Sequence, residues 1–355
     1  MQGRLLTVDL AKVEHNTRTV VGLCAAHGIV VTGVTKGVCG QPEVARAMLR
    51  GGVVSLGESR IENVRRLRAG GVRAPVLLLR IPSLSHVAHV VDLAEASCNA
   101  ELAVVDGLAA AARSVGVEHG VLVMVDLGDL REGVWPDQLV GVARHVHDRA
   151  GVRLAGIAAN LACFGGVVPT ADNMGLLVEL VEKVEAELGE PVPMVSGGNS
   201  SALPLLAAGG MPSRVDHLRI GEAILLGRET VGRTPWPGTY QDAVVLHGEV
   251  LELGFKPSVP IGPRGQDAMG HVPEFADRGW VDHALVNLGT VDTDVGGLIP
   301  VDPRLRVLGA SSDYLVLDVS DARGELRVGD RVAFLPGYGA TVTAASSPYV
   351  EIRCT

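Results

Sequence analysis

The chain has 355 residues, 47% of them hydrophobic, and a formal net charge of −9. That acidic balance argues against nucleic acid and anionic membrane surfaces, whose partners need clustered basic side chains. No apolar run reaches the roughly 18 residues of a membrane span, and Met1-Gln2-Gly3-Arg4 lacks the layout of a secretory signal. Five cysteines form no CxxC pair, so reduced thiols in the cytoplasm are expected. The length predicts about two domains.

Eight short apolar runs follow one another: residues 31–35, 53–56, 76–79, 94–97, 121–125, 154–158, 194–196 and 217–220. Helical stretches separate many of them, among them 42–50, 60–68, 138–149 (with Pro136 at a first-turn position) and 173–188. Eight alternations of strand and helix predict a parallel (β/α)8 TIM barrel over residues 8–230. After Gly227 the texture changes. Residues 234–265 are rich in proline, and short strands are predicted at 243–251, 284–288, 315–319, 331–334 and 342–344. Turns such as Val328-Gly329-Asp330 divide them, which predicts a mostly antiparallel β-domain over residues 231–355. Residues 4–9 read as a further strand, so residues 1–7 are expected to pair with that domain.

Nearly every barrel run ends in a polar group: Lys36, Glu58 and Arg60, Arg80, Asn99, Asp126 and Arg131, Asn160, Asn199 and Ser200, Arg219 and Glu222. Active sites of (β/α)8 barrels are built on those strand ends, so the pattern predicts an enzyme. A lysine leaving a buried strand into a barrel mouth is costly to desolvate, a setting that suits a Schiff-base lysine. The same lysine would serve as a plain strand end that reaches water. The loop Ser196-Gly197-Gly198-Asn199-Ser200-Ser201, with Gly221 opening the next loop, has the glycines and hydroxyls of a phosphate cradle, or of an ordinary turn. The stretch 124–133 gathers Asp126, Asp129 and Arg131 into either a site or a surface ion-pair cluster. None of the histidines has a metal-ligand companion, and no metal is expected.

Taken together, these motifs resemble the pyridoxal-phosphate (PLP) dependent alanine racemases of fold type III, and within them the alanine/ornithine racemases. The resemblance rests on Gly33-Val34-Thr35-Lys36, Ser59-Arg60-Ile61-Glu62-Asn63, Leu79-Arg80-Ile81-Pro82, residues 125–133, 196–201 and 218–230, then 257–262 and 308–319. It implies a PLP-binding barrel, a C-terminal β-domain, and a cytoplasmic homodimer with shared active sites. It also implies that Lys36 forms a Schiff base with PLP and that Arg219 faces the pyridine nitrogen. Asn160, Asn199, Ser200, the amides of Gly221 and Glu222, and Tyr338 would surround the cofactor. Arg131 would lie near the ring oxygen and the substrate, and Asp313 would reach the substrate in a partner's site. The implied reaction is inversion at an amino acid's α-carbon by proton abstraction from an external aldimine.

The departures from the alanine enzymes are specific. Pro263 falls where they carry a catalytic tyrosine, Met124 where many carry a lysine, and Asn160 where they carry a histidine. Two-face racemisation needs a second proton-transfer group, and Asp267 is the candidate, ahead of His271 and Cys163. Two roles are open to an aspartate there: a proton carrier raised toward neutrality by burial, or a partner for a substrate's distal ammonium. Ornithine or another basic amino acid is favoured as substrate, with Glu58, Asp126, Asp129, Glu222 and Asp267 available as counter-charges. The alternatives are a decarboxylase of the same fold, a non-catalytic PLP-binding protein, and a PLP-free enzyme of sugar phosphates.

Overall fold

The computed structural model describes residues 3–267 and 269–355. By its internal contacts the chain forms two compact units: residues 10–36 with 40–240, and residues 241–355 with the segment through Asp9 and residues 37–39.

Strand β1 (Leu5–Val8) belongs to the second unit. The first unit is a closed parallel barrel of β2 (Val30–Val34), β3 (Ser55–Glu58), β4 (Val76–Leu78), β5 (Ala96–Asn99), β6 (His119–Met124), β7 (Val152–Ala158), β8 (Val195–Ser196) and β9 (His217–Ile220). Every one of these strands lies on one of the eight apolar runs. Helices run between them: α1 (Leu10–Ala25), α2 (Pro42–Arg50), α3 (Ile61–Ala69), α4 (Val87–Leu93), α5 (Leu102–Val115), α6 (Leu139–His147), α7 (Ala171–Leu188), α8 (Leu203–Ala207) and α9 (Glu222–Leu226). Local signals set their ends. Pro42 sits in the first turn of α2, and Val44, Ala45, Ala47 and Met48 give it one buried face. Helix α7 starts at a reciprocal cap, Thr170 Oγ1 accepting from the Asn173 amide at 3.2 Å and Asn173 Oδ1 from the Thr170 amide at 2.8 Å. It stops at Gly189, whose φ of +73° is left-handed.

Leu77, Cys98, Leu122, Met124, Ala155 and Ala158, from β4 to β7, fill one side of the barrel interior. Such a plug is a packed core, each large apolar side chain contributing about 1.5–3 kcal/mol. Polar side chains are therefore confined to the strand ends and to hydrogen-bonded positions within the barrel wall.

The second unit is a sheet of order β12-β15-β10-β11-β14-β13, made by β10 (Val244–Pro257), β11 (Trp280–Val286), β12 (Leu298–Pro300), β13 (Arg306–Ala310), β14 (Leu315–Asp318) and β15 (Arg331–Pro336). Strand β1 runs antiparallel to β10 and parallel to β16 (Glu351–Cys354). Strand β10 is 14 residues long. Its first half pairs with β1 and β15, and its second half, past a register shift between Val250 and Glu252, pairs with β11.

One predicted strand is wrong: residues 342–344 lie inside helix α10 (Tyr338–Ser346). Its apolar residues looked like a short strand, but Ala340 and Ala344 are spaced four apart and both are buried, which is a helical face. Thr341 and Thr343 are accommodated by donating their hydroxyls back to the carbonyls of Gly337 and Gly339, at 2.9 and 2.8 Å.

Candidate active site

Lys36 follows β2 directly, in a short 3-10 turn, and is half-buried. The turn is tied down from the next strand. Thr35 Oγ1 donates to Glu58 Oε1 at 2.7 Å, while Glu58 Oε2 accepts from the Asn63 side chain at 3.0 Å and the Ser59 amide at 3.1 Å. Glu58 is wholly buried. Burial pushes its carboxyl up, opposed by those three hydrogen bonds and by the charge of Lys36. Gly40 closes the turn at φ +64°, and a Cβ there would sit 2.9 Å from the Asn63 carbonyl oxygen. Glu58 is thus a structural partner of the lysine turn rather than a free counter-charge.

Arg219, on β9, is 5% exposed. Its Nη1 donates to Ser196 Oγ, and its Nη2 donates to the Ala159 carbonyl at 2.8 Å and to Asn160 Oδ1 at 3.5 Å. All three acceptors are neutral oxygens. Burial pulls the guanidinium below its ordinary value. Asn160 is bound in turn by Asn199 Nδ2 at 3.1 Å, and Asn199 Nδ2 also reaches the Leu161 carbonyl at 2.9 Å. Asn199 Oδ1 accepts from the Ser201 amide at 2.8 Å, and Ser200 Oγ accepts from the Ala223 amide at 3.2 Å. The structure therefore gathers Asn160, Asn199, Ser200, Arg219 and Gly221 at the ends of β7, β8 and β9. Gly221 packs closely on β2: a Cβ there would sit 3.0 Å from Val34 Cβ and would need that side chain to give way. Glu222 is bound to Arg233 at 2.8 Å, and burial pushes its carboxyl up.

The 124–133 stretch is built differently from a charge cluster. Asp126 Oδ1 accepts from the amides of Gly128 and Leu130 at 2.8 and 3.2 Å. Asp129 is buried and takes the amides of Phe164 at 2.8 Å and Val167 at 3.2 Å, with Cys163 at 3.3 Å. Burial works against its charge, but the amides of Phe164, Val167, Cys163 and Gly165 hold its carboxyl below the usual range. Both aspartates are loop fasteners, which suits two loops that carry non-glycine residues at positive φ, Leu130 at +57° and Ala162 at +52°. Arg131 is exposed, bonded to Glu132 at 2.6 Å and to Cys163 Sγ at 2.8 Å.

In the second unit, Asp267 lies at the surface. Its Oδ1 accepts from the amides of Met269 and His271, both at 2.9 Å, and the His271 bond leads the effects that lower its carboxyl. In this single chain Asp267 is therefore held as the anion by those amides, and burial does not raise it. Asp313 is exposed and accepts from Ser312 Oγ at 2.7 Å, and Tyr338 opens α10 behind Gly337. Sequence reading passed over His217, Ser196 as an acceptor, and Thr32. The available signal was spacing: His217 and Arg219 are two apart on one strand and so share a face.

The alanine racemase N-terminal domain family matches residues 8–229, more than half of the chain. Among curated relatives, an ornithine racemase of Acetoanaerobium sticklandii is 37% identical over 98% of both chains. A lysine racemase of Thermotoga maritima is 38% identical, over 98% of this chain and 97% of its own. Among solved structures, an alanine racemase of Bartonella henselae with covalently bound pyridoxal phosphate superposes with a TM-score of 0.72, covering 100% of each chain at 18% identity, a likeness of fold. Among the described residues no helix is long and apolar enough to cross a membrane. With a closed eight-stranded barrel, a lysine at the first barrel strand's end and end-to-end relatives of this kind, the chain is a member of the PLP-dependent alanine/ornithine racemase family.

Proposed function

We propose that this racemase acts on basic α-amino acids, ornithine and lysine first, with pyridoxal phosphate held by the barrel residues described above. The observation that carries the reading is the end-to-end similarity to two racemases of basic amino acids. The donors also fit the cofactor. Ser200 and Ser201 offer hydroxyls beside Gly198, whose backbone is at φ +120°, and Ser201 Oγ is buried without a hydrogen-bond partner among the described residues. When bound, PLP supplies the electron withdrawal that makes an α-C–H acidic. Lys36 would anchor it covalently and move the α-proton on one face. Ser200, Asn199 and the amides of Gly221 and Glu222 would hold the phosphate, with Asn160 and Arg131 alongside. Arg219 would face the ring nitrogen as a guanidinium that keeps its own protons.

For the distal ammonium of a basic substrate the acids within the barrel are poor candidates. Asp126 and Asp129 are committed to backbone amides, Glu222 to Arg233, and Glu58 to Thr35 and Asn63. Asp267 remains, as recognition group or as second proton carrier. The functional unit would be a homodimer, checked by sedimentation at assay concentration. Tyr338 and Asp313 keep their family-derived roles, tested by Tyr338→Phe and Asp313→Asn with cofactor affinity and KM read separately. The direct test incubates the purified protein with single L-amino acids in deuterated water. Ornithine and lysine should exchange their α-hydrogen and invert. Inversion of alanine alone would refute the substrate class.

A further inference from the structure

A polar chain runs through the barrel wall behind Arg219, and the proposed chemistry leaves it without a task. His217 is 1% exposed and lies opposite Ser196 in the β8–β9 register. Its Nδ1 sits 2.7 Å from Ser196 Oγ, and its Nε2 sits 2.7 Å from Thr32 Oγ1. Thr32 Oγ1 is 2.6 Å from Ser55 Oγ on the next strand. At the other end, Ser196 Oγ accepts from Arg219 Nη1.

Counting hydrogens gives this chain a direction. A guanidinium only donates, so Ser196 spends a lone pair on Arg219. The serine's own hydrogen then needs an acceptor, and the imidazole Nδ1 is the one beside it. A proton on Nδ1 would put two donors on one oxygen and leave the serine hydrogen stranded in a dry interior. The neutral ring with its hydrogen on Nε2 satisfies every member: Nε2–H donates to Thr32, whose hydroxyl turns toward Ser55. Burial, reinforced by the charge of Arg219, holds His217 down at about 3, so the ring stays neutral at working pH.

We propose that His217 is a positioning residue for Arg219: acting through Ser196, it fixes the orientation of the guanidinium that the proposed function sets against the cofactor ring. The inference rests on that reading of Arg219. Among the described residues Arg219 donates to Ser196, Ala159 and Asn160 and to no carboxylate, so its aim depends on neutral oxygens that must themselves be held. Ser196 is held only as firmly as the ring behind it.

Two measurements test this. In apoprotein carrying 15N-labelled histidine, long-range correlations to the ring nitrogens should show His217 with a bare Nδ1 and a protonated Nε2, a pattern disturbed by Ser196→Ala. A protonated Nδ1 would overturn the inference. In cofactor-loaded protein, His217→Leu should shift the visible band and lower kcat about tenfold, with KM nearly unchanged. His217→Asn, whose side-chain oxygen can accept from Ser196, should restore most of both. If His217→Leu does not fold, Ser196→Ala carries the same expectation. Wild-type band and kcat in these variants would overturn the inference, even where Arg219→Lys alters the band and so upholds the reading beneath it. A wild type that takes up no cofactor would overturn both.

Discussion

Replacing His217 with asparagine should flatten the acid side of the protein's stability profile by a predictable amount. An unfolded histidine titrates near 6.5, whereas His217 in the barrel is held at about 3. Between those values the unfolded chain binds a proton that the folded chain refuses. Stability therefore rises with pH across that window, and is lost as pH falls from 6.5 toward 3, at about 1.4 kcal/mol per pH unit. From pH 7 to pH 5 the loss due to His217 is about 2 kcal/mol, a sizeable share of a typical 5–15 kcal/mol. His119, held at about 4 mainly by burial, adds a similar loss. The buried carboxyls Glu58 and Glu222, pushed up, act with the opposite sign. Both contributions are shared by wild type and variant and cancel in the comparison. The assay is urea unfolding of the apoprotein at the two pH values. Wild type should lose about 2 kcal/mol more than His217→Asn on acidification. Parallel losses would show that His217 is not held neutral and would refute the burial argument.

Ser200→Asp places a carboxylate where the phosphate is proposed to bind, and should weaken PLP affinity by at least about tenfold, measured by equilibrium dialysis; unchanged affinity would move the phosphate elsewhere. Gly40→Ala forces a Cβ onto a left-handed residue that lies 2.9 Å from the Asn63 carbonyl. It should cost at least about 1–2 kcal/mol in urea unfolding, and an unshifted midpoint would contradict the packing around Glu58. Asp267→Asn separates two roles. As a proton carrier its loss should abolish inversion while sparing α-hydrogen exchange from one enantiomer; as a recognition group its loss should mainly raise KM for ornithine. Unchanged kinetics would remove Asp267 from the site.

The barrel was legible in the sequence because its strands are buried on both faces, and such strands read as continuous apolar runs whatever their partners. The polar strand ends were equally visible, since a charged group following such a run stands out. What the sequence hid was which polar groups hold one another. Asp126 and Asp129 looked like site acids because nothing local shows that their partners are backbone amides, in the case of Asp129 more than thirty residues away. His217 was passed over because its two partners lie on neighbouring strands, at Ser196 and Thr32. The strand expected at 342–344 failed for a local reason, a three-residue window too short to distinguish a period of two from one of 3.6.

Lys36 as the covalent anchor of PLP is open to direct test. The chain has four lysines, Lys12, Lys36, Lys183 and Lys256, so the anchor can be assigned without ambiguity. Protein loaded with PLP, reduced with borohydride and mapped by peptide mass spectrometry should carry the cofactor on Lys36, and Lys36→Ala should lose both the label and racemisation. Label on Lys12, Lys183 or Lys256, or racemisation that survives Lys36→Ala, would contradict it.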